Sequence, residues 1–363
     1  MKSVFRRDPW IAGFAVLLVV GGFFALASAS LGLISSGGSP LGILARQFAQ
    51  GAVGGGIALL IVERLPLRLI QKNAFWIFAA SFVLSLAVFI PALGFASGGA
   101  TRWIAWGPIF LQPSEFLKIG FVVYLAAWLS SRRFEVRSFE FGALPLLAMI
   151  LVLGVLFAFE PDIGTFGVIV FTGFLLFYAG GGRLRHLGAM GLVLLMVLAG
   201  IVAWKPYVLD RIMVFVNPSY DPQGAGYQVR QAAIAFGSGG AWGKGFGQGE
   251  QKFHYLPEPM GDAVFAVVGE EFGFAGATAL VALFLAFLWR MILVVRRVSD
   301  PFARLLGAGI GILITVQAFI NMGALVGILP LTGITLPFIS QGGSSLAATL
   351  MGVGLLLNIS KQR

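Results

Sequence analysis

The sequence predicts an all-α, polytopic membrane protein with about ten transmembrane helices, and three observations predict it. The 363 residues are 58% hydrophobic and 11% charged, with a mean hydropathy of +0.92. That is more apolar surface than a soluble domain of this length can hide. The apolar runs are continuous, whereas the strands of a membrane barrel alternate, so helices are the spanning elements. About two-thirds of the Lys and Arg residues fall in alternate short connections, the asymmetry typical of cytoplasmic loops. The same asymmetry accounts for the net charge of +10 without invoking nucleic acid. The chain has no cysteine, so disulfides and thiolate metal sites are excluded. Two histidines, His186 and His254, are too few for a histidine-rich metal centre.

The first run, from Trp10 to about Ser30, follows the basic residues Lys2, Arg6 and Arg7. Ala27-Ser28-Ala29 resembles a signal-peptidase site. The run is longer than the apolar core of a signal, and further spans follow, so an uncleaved first helix is expected. At roughly 20 residues per crossing, further spans lie at about Phe48–Val62, Phe75–Leu93, Ser114–Leu129, Leu144–Phe159 and Gly164–Ala179. His186–Trp204, Phe265–Val294, Leu305–Leu325 and Ser344–Ile359 complete the set. Phe265–Val294 is too long for one upright crossing, so it is expected to tilt or to begin outside the bilayer. Gly51, Gly54, Gly55 and Gly56 in the second span allow close helix packing.

Ten crossings place Lys2, Arg6, Arg7, Arg64, Arg68, Lys72, Arg132, Arg133 and Arg137 on one side. Arg183, Arg185, Arg290, Arg296, Arg297, Arg304, Lys361 and Arg363 join them. Both termini are then cytoplasmic. Residues 205–262 form a large extracytoplasmic loop between the seventh and eighth helices of a single domain, residues 1–363. The outward set mixes Glu160, Asp162, Asp210, Asp221, Glu250, Glu258 and Asp262 with Arg102, Lys205, Arg211, Arg230, Lys244 and Lys252. Such a face suits a polar ligand.

Four polar constellations stand out. In Gln112-Pro113-Ser114-Glu115-Phe116-Leu117-Lys118, Pro113 and Ser114 read as a helix start, with Ser114 as cap and Glu115 near the positive end of the dipole. Lys118 shares the face of Glu115, about one turn into a membrane helix, where a charge is a functional candidate by default. Glu160-Pro161-Asp162 forms a tight outward turn whose carboxylates either cap the next helix or serve a site. The glycine run from Gly237 to Gly249 carries Lys244 and is followed by Lys252. It is either a flexible connector or a loop whose amides approach phosphate, and it lacks a Walker pattern. Finally, Asp262 precedes an apolar helix that carries Glu270 and Glu271. It is either an N-cap or a working acid. The two glutamates need partners, and Lys118 is one candidate.

These motifs resemble the SEDS family (shape, elongation, division and sporulation) over nearly the whole chain. The resemblance rests on Gln112-Pro113-Ser114-Glu115 with Lys118, Glu160-Pro161-Asp162-Ile163-Gly164-Thr165 and Asp221-Pro222-Gln223-Gly224-Ala225-Gly226-Tyr227-Gln228. Gly237-Ser238-Gly239-Gly240, Gly243-Lys244-Gly245, Tyr255-Leu256-Pro257-Glu258, Asp262 and Glu270-Glu271-Phe272-Gly273 continue it. Leu336-Pro337-Phe338-Ile339-Ser340 with Gly342-Gly343-Ser344-Ser345 ends it. Gln251-Lys252 ahead of Tyr255 is more similar to the FtsW, or division, branch than to the RodA, or elongation, branch. Two departures stand out: Met260-Gly261 where the family commonly has His-Thr, and Gln341 where Tyr or Phe is usual.

The resemblance implies a peptidoglycan glycosyltransferase of the bacterial cytoplasmic membrane that polymerises lipid II on its outer face. The essential acid of the family falls at Asp262, read here as general base. Arg102, Lys118 and Lys252 are candidate partners of the substrate diphosphate. Ser114, Glu115, Lys244 and Glu258 are further substrate-binding candidates, and Asp162, Glu270, Glu271 and Ser344 are supporting polar groups. A divalent cation, magnesium or manganese, is a candidate cofactor, with Asp262 its candidate ligand. The resemblance also implies a single-span class B penicillin-binding protein as partner, alongside other division or elongation membrane proteins. A cell-elongation polymerase of the RodA branch, a lipid-linked sugar flippase using the same buried charges and a non-catalytic division scaffold remain the alternatives to a polymerase of division.

Overall fold

The computed structural model describes residues 7–362 except 98–99, 108, 133–134, 205, 218–219, 222 and 225. Lys2, Arg6, Arg133, Lys205, Pro222, Ala225 and Arg363, all named above, lie outside the described residues. The chain is predominantly helical. In order come α1 (Pro9–Ser30), α2 (Pro40–Arg46), α3 (Gly54–Arg64), α4 (Leu67–Lys72) and α5 (Ala74–Leu86). After three short strands follow α6 (Pro113–Ser131), α7 (Leu144–Phe159), α8 (Ile163–Ala179), α9 (Leu184–Trp204) and α10 (Pro206–Val216). The last four are α11 (Tyr227–Gly239), α12 (Val264–Val295), α13 (Pro301–Leu325) and α14 (Gly343–Ser360). Among the described residues, seven helical segments are long and apolar enough to cross a membrane, and Ala74–Phe89 and Ile163–Ala179 are shorter apolar helices. The protein is therefore a multi-pass membrane protein. Each expected span falls on one of these segments or on α6, which carries Glu115 and Lys118.

Local chemistry sets the helix starts. Asp8 caps α1, with Pro9 following, and Asp300 caps α13, with Pro301 following, the pairing that satisfies the first amides and places proline where none is needed. Asp162 caps α8 by accepting from the amide and hydroxyl of Thr165 at 3.1 and 2.8 Å. Asp162 thus realises the capping reading, and Glu160 does not. In α6 the cap position belongs to Gln112, not Ser114. Pro113 occupies the first helical position and pushes Ser114 one place inside, where its hydroxyl is buried without a partner.

One departure from all-α is a three-stranded antiparallel sheet of β1 (Gly94–Ser97), β2 (Ala100–Trp106) and β3 (Ile109–Leu111). It begins directly after the expected third span. Aromatic and β-branched residues favour strands, and Phe95 pairs across β1 and β2 with Trp103.

The core gathers around α13 and α14, whose apolar stretches are 72% and 83% buried, against 11% for α9. Gly51 and Gly55 realise the expected close packing: a Cβ there would lie 2.8 Å from Leu346 and 2.7 Å from the backbone of Ala347. Gly56 faces open space.

The long helix α12 breaks at Gly273, with φ 66° and ψ −164°. Phe274 and Ala275 donate across the break to the carbonyls of Gly240 and Ala241 at 2.9 and 3.0 Å. The carbonyls of Glu270 and Glu271 accept from Lys244 and Gly245 at 3.0 and 2.9 Å. A backbone interruption beside a membrane requires such internal partners. Glycine is required here because the chains touch: a Cβ on Gly243, itself at φ +83°, would lie 2.1 Å from the carbonyl oxygen of Glu271. From Phe274 to Val295 the helix is about 33 Å long at 1.5 Å per residue, one full crossing. The excess length seen in the sequence therefore belongs to a separate piece, Val264–Phe272, preceding the break.

At the other end of α1, the amide of Asp8 donates to Ser360 at 3.1 Å and its carboxylate pairs with Arg290 at 2.6 Å. Buried Glu63 pairs with Arg7 at 2.5 Å and with Lys361 at 2.9 Å. The two chain ends therefore meet on one face. Ser28, near the opposite end of α1, reaches the Glu271 carboxylate.

Candidate active site

Asp262 sits between the glycine-rich loop and α12, in a segment clamped from the other side by the chain leading into α14. The hydroxyl of Ser340 donates to the Gly261 carbonyl at 2.6 Å, and the amide of Gln341 donates to that of Met260 at 2.7 Å. Both departures noted in the sequence, Met260-Gly261 and Gln341, thus meet through backbone atoms, which tolerate a change of side chain. Asn321 of α13 donates to the Asp262 carbonyl and to that of Ile334, each at 2.8 Å. The N-cap of α12 is Ala263. Asp262 is therefore no cap, and its carboxylate accepts from the side chain of Gln228 at 3.1 Å.

The environment tunes that carboxyl. Burial pushes its pKa up to about 6. The hydrogen bond from Gln228 pulls the other way, the Glu258 charge adds to the rise, and the Arg211 charge opposes it. Beside it lies a cavity of about 400 Å³ lined by Asp210, Arg211, Gln223, Tyr227, Gln228 and Gly333, among others. Sugar-sized ligands need a cleft of about this scale. Helices α10 and α11, inside what the sequence presents as a loop, supply Arg211 and Gln228.

Glu258 is exposed, and its carbonyl closes the turn onto Gly261 and Ala263 at 3.0 and 3.2 Å. The remaining expected residues are not drawn to Asp262. Glu270 and Glu271 are fully buried but do not meet Lys118. Glu270 accepts from Lys244 and from the amides of Glu250 and Gln251 at 2.9, 2.9 and 3.0 Å. Glu271 accepts from Lys252 at 2.6 Å, Ser28 at 2.5 Å and the Gly247 amide at 3.1 Å. Within the glycine run, Lys244 and the Gly247 amide face these carboxylates while the amides of Lys244 and Gly245 hold the carbonyls of the same two residues, so the run is an ordered wrap rather than a flexible connector.

Lys118 pairs with Glu115 at 2.9 Å and donates to Gln317 at 2.6 Å. They border a cavity of about 20 Å³, room for one water. Gln317 in turn donates to the Thr335 carbonyl at 3.0 Å. Arg102 donates to the carbonyls of Glu160 and Pro161, which clamps the turn that Asp162 caps. The Glu160 carboxyl there is buried without a hydrogen-bond partner. Burial, then the Asp162 charge, push its pKa up to about 8 against the pull of Arg102. Ser344 accepts from the Gln112 amide at 3.0 Å and donates to the Phe110 carbonyl at 3.1 Å, joining α14 to β3. Gln317 and Asn321 are among the site residues not singled out in the sequence. Their signal was two amides four residues apart, on one face of an otherwise apolar span.

As for metal ligands, no three His, Cys, Asp or Glu side chains converge among the described residues. Asp210 is the acid of the cavity lining, and Asp262 lies just behind it, joined through Gln228.

Residues 9–363 match the profile of the FtsW, RodA and SpoVE family, described as cell cycle protein. The stage V sporulation protein E of Bacillus subtilis is 41% identical over 280 residues, 77% of this chain and 76% of that protein. A probable peptidoglycan glycosyltransferase FtsW of Geobacter sulfurreducens is 37% identical over 361 residues, 99% of this chain and 96% of that one. Among solved structures, one described as the structural coordination of polymerization and crosslinking by a peptidoglycan synthase complex superposes with a TM-score of 0.80. It is 28% identical and covers 98% of this chain and 97% of that one. The rod shape determining protein RodA of Thermus thermophilus superposes with a TM-score of 0.68 at 27% identity, over 98% and 97% of the two chains.

Proposed function

Because the chain belongs to the FtsW, RodA and SpoVE family of cell cycle proteins, we propose that it is a peptidoglycan glycosyltransferase polymerising lipid II at Asp262. The observation that carries the reading is the Asp262 carboxyl, tuned to a pKa of about 6 beside a cavity of sugar-sized volume. A general base works best with a pKa near the operating pH. In the reaction, a sugar hydroxyl of one substrate attacks the anomeric carbon of another. The bond from that carbon to the diphosphate breaks, its electron pair leaves with the diphosphate, and the hydroxyl proton passes to Asp262. Magnesium takes one or two carboxylates together with substrate phosphates. Asp262 is the carboxylate that would hold such an ion, which would neutralise charge on the leaving group.

Relatives named FtsW over nearly the full length support a role in division rather than elongation. The superposition on a peptidoglycan synthase complex supports a single-span class B penicillin-binding protein as partner. Purified protein given lipid II in detergent is expected to make glycan polymer, and more of it with that partner present. No polymer in either condition would refute the reading.

The proposed setting is the bacterial cytoplasmic membrane, with both termini cytoplasmic and Asp262 outside. Its support is the Lys and Arg distribution and the meeting of the two chain ends at Asp8 and Ser360. Reporter fusions after Arg137 and Gly247 are expected to report opposite sides; a common side would refute the topology.

A further inference from the structure

A diphosphate leaving group gathers negative charge as its bond to the sugar breaks, and a site that stabilises it supplies a cation in place beforehand. The cations first expected for this task are committed elsewhere. Lys244 and Lys252 hold Glu270 and Glu271, Lys118 holds Glu115, and Arg102 holds two backbone carbonyls. None of these four borders the cavity beside Asp262.

Arg211 does border it. Its Nη1 donates to the Leu331 carbonyl at 3.1 Å, which fixes the plane of the guanidinium. A guanidinium is a planar fork of N–H donors that matches a bidentate phosphate. Across from it stands Gly333, at φ +69°. A Cβ on Gly333 would lie 3.6 Å from Arg211 Nη2 and 3.7 Å from Asp262 Oδ2. The cation and the base therefore border one gap, kept open because that residue has no side chain. The segment carrying Gly333 is tied to the catalytic turn through Asn321, which bonds both Ile334 and Asp262.

We propose that Arg211 is the diphosphate-binding residue of this site, holding the phosphates of the lipid-linked donor in the gap over Gly333, beside Asp262. The proposal rests on the glycosyltransferase reading, and its test is a binding measurement that needs no turnover. The probe is farnesyl diphosphate, a short polyprenyl diphosphate, with farnesol as the uncharged control, on the full-length protein. Arg211→Ala is expected to weaken farnesyl diphosphate binding by about 10- to 100-fold, the range for losing a hydrogen bond to a charged group. Arg211→Lys should recover part of the loss, because it restores the charge without the fork. Farnesol binding should stay at the parent value in both variants.

Undiminished farnesyl diphosphate binding by Arg211→Ala, or parallel loss of farnesol, overturns the proposal. Failure of the reading of Asp262 would appear separately, as polymerisation by Asp262→Asn, and in that background the diphosphate binding remains measurable.

Discussion

Asp262→Asn is expected to lower lipid II polymerisation by roughly 10²–10⁴-fold, the usual contribution of a positioned general base, while the protein remains folded. The structure sharpens this test. A capping aspartate could be replaced by asparagine at little cost, but the cap of α12 is Ala263. The backbone clamps from Ser340, Gln341 and Asn321 do not involve the Asp262 side chain. The amide of an asparagine can still accept from Gln228, so geometry survives while the carboxylate's basicity and its hold on a divalent ion are lost. In the parent, the base form of a carboxyl with a pKa of about 6 is populated above that pH. Activity should therefore rise as pH increases through about 6 and then level off. Both readouts come from one purified preparation, with thermal stability measured alongside. A folded Asp262→Asn protein polymerising at the parent rate would remove Asp262 from the mechanism.

How much of this was legible in the sequence depends on the range of the interaction. The spans were legible because continuous apolar runs are a local property. Lys118 with Glu115 was legible too, because three residues along a helix fix a neighbour. The partners of Glu270 and Glu271 were not. They come from 19 to 26 residues upstream and from Ser28, 243 residues away. The break at Gly273 brings them together, and a single glycine in an apolar run does not announce a break. Arg211 was visible only as one outward charge among several, because its place beside Asp262 depends on how α10 and Gly333 meet. The sheet at Gly94–Leu111 escaped because its apolar residues merge with the preceding span.

Lys252→Met is expected to destabilise the protein by about 3–5 kcal/mol, the range for removing one partner of a buried ion pair. The pair has no access to solvent, with side-chain exposures of 0% for Lys252 and 1% for Glu271. Without the ammonium, Glu271 would keep only Ser28 and the Gly247 amide against the cost of burying its charge. The carboxylate also belongs to the wrap that closes the α12 break, where the carbonyl of the same residue accepts from Gly245. Loosening should therefore spread to the loop leading to Asp262, and polymerisation should fall with stability. Removing both charges has a different consequence. Lys252→Met with Glu271→Gln leaves no unpaired buried ion, and replacing a buried pair by neutral groups of similar size is often neutral. The double variant is expected to regain most of the lost thermal stability and, with it, activity. Had Lys252 held the substrate diphosphate, the double variant would be stable and still inactive. Measuring the unfolding temperature and polymer yield of the parent, both single variants and the double closes the cycle. A Lys252→Met protein as stable as the parent would show that the ion pair does not hold the broken helix together.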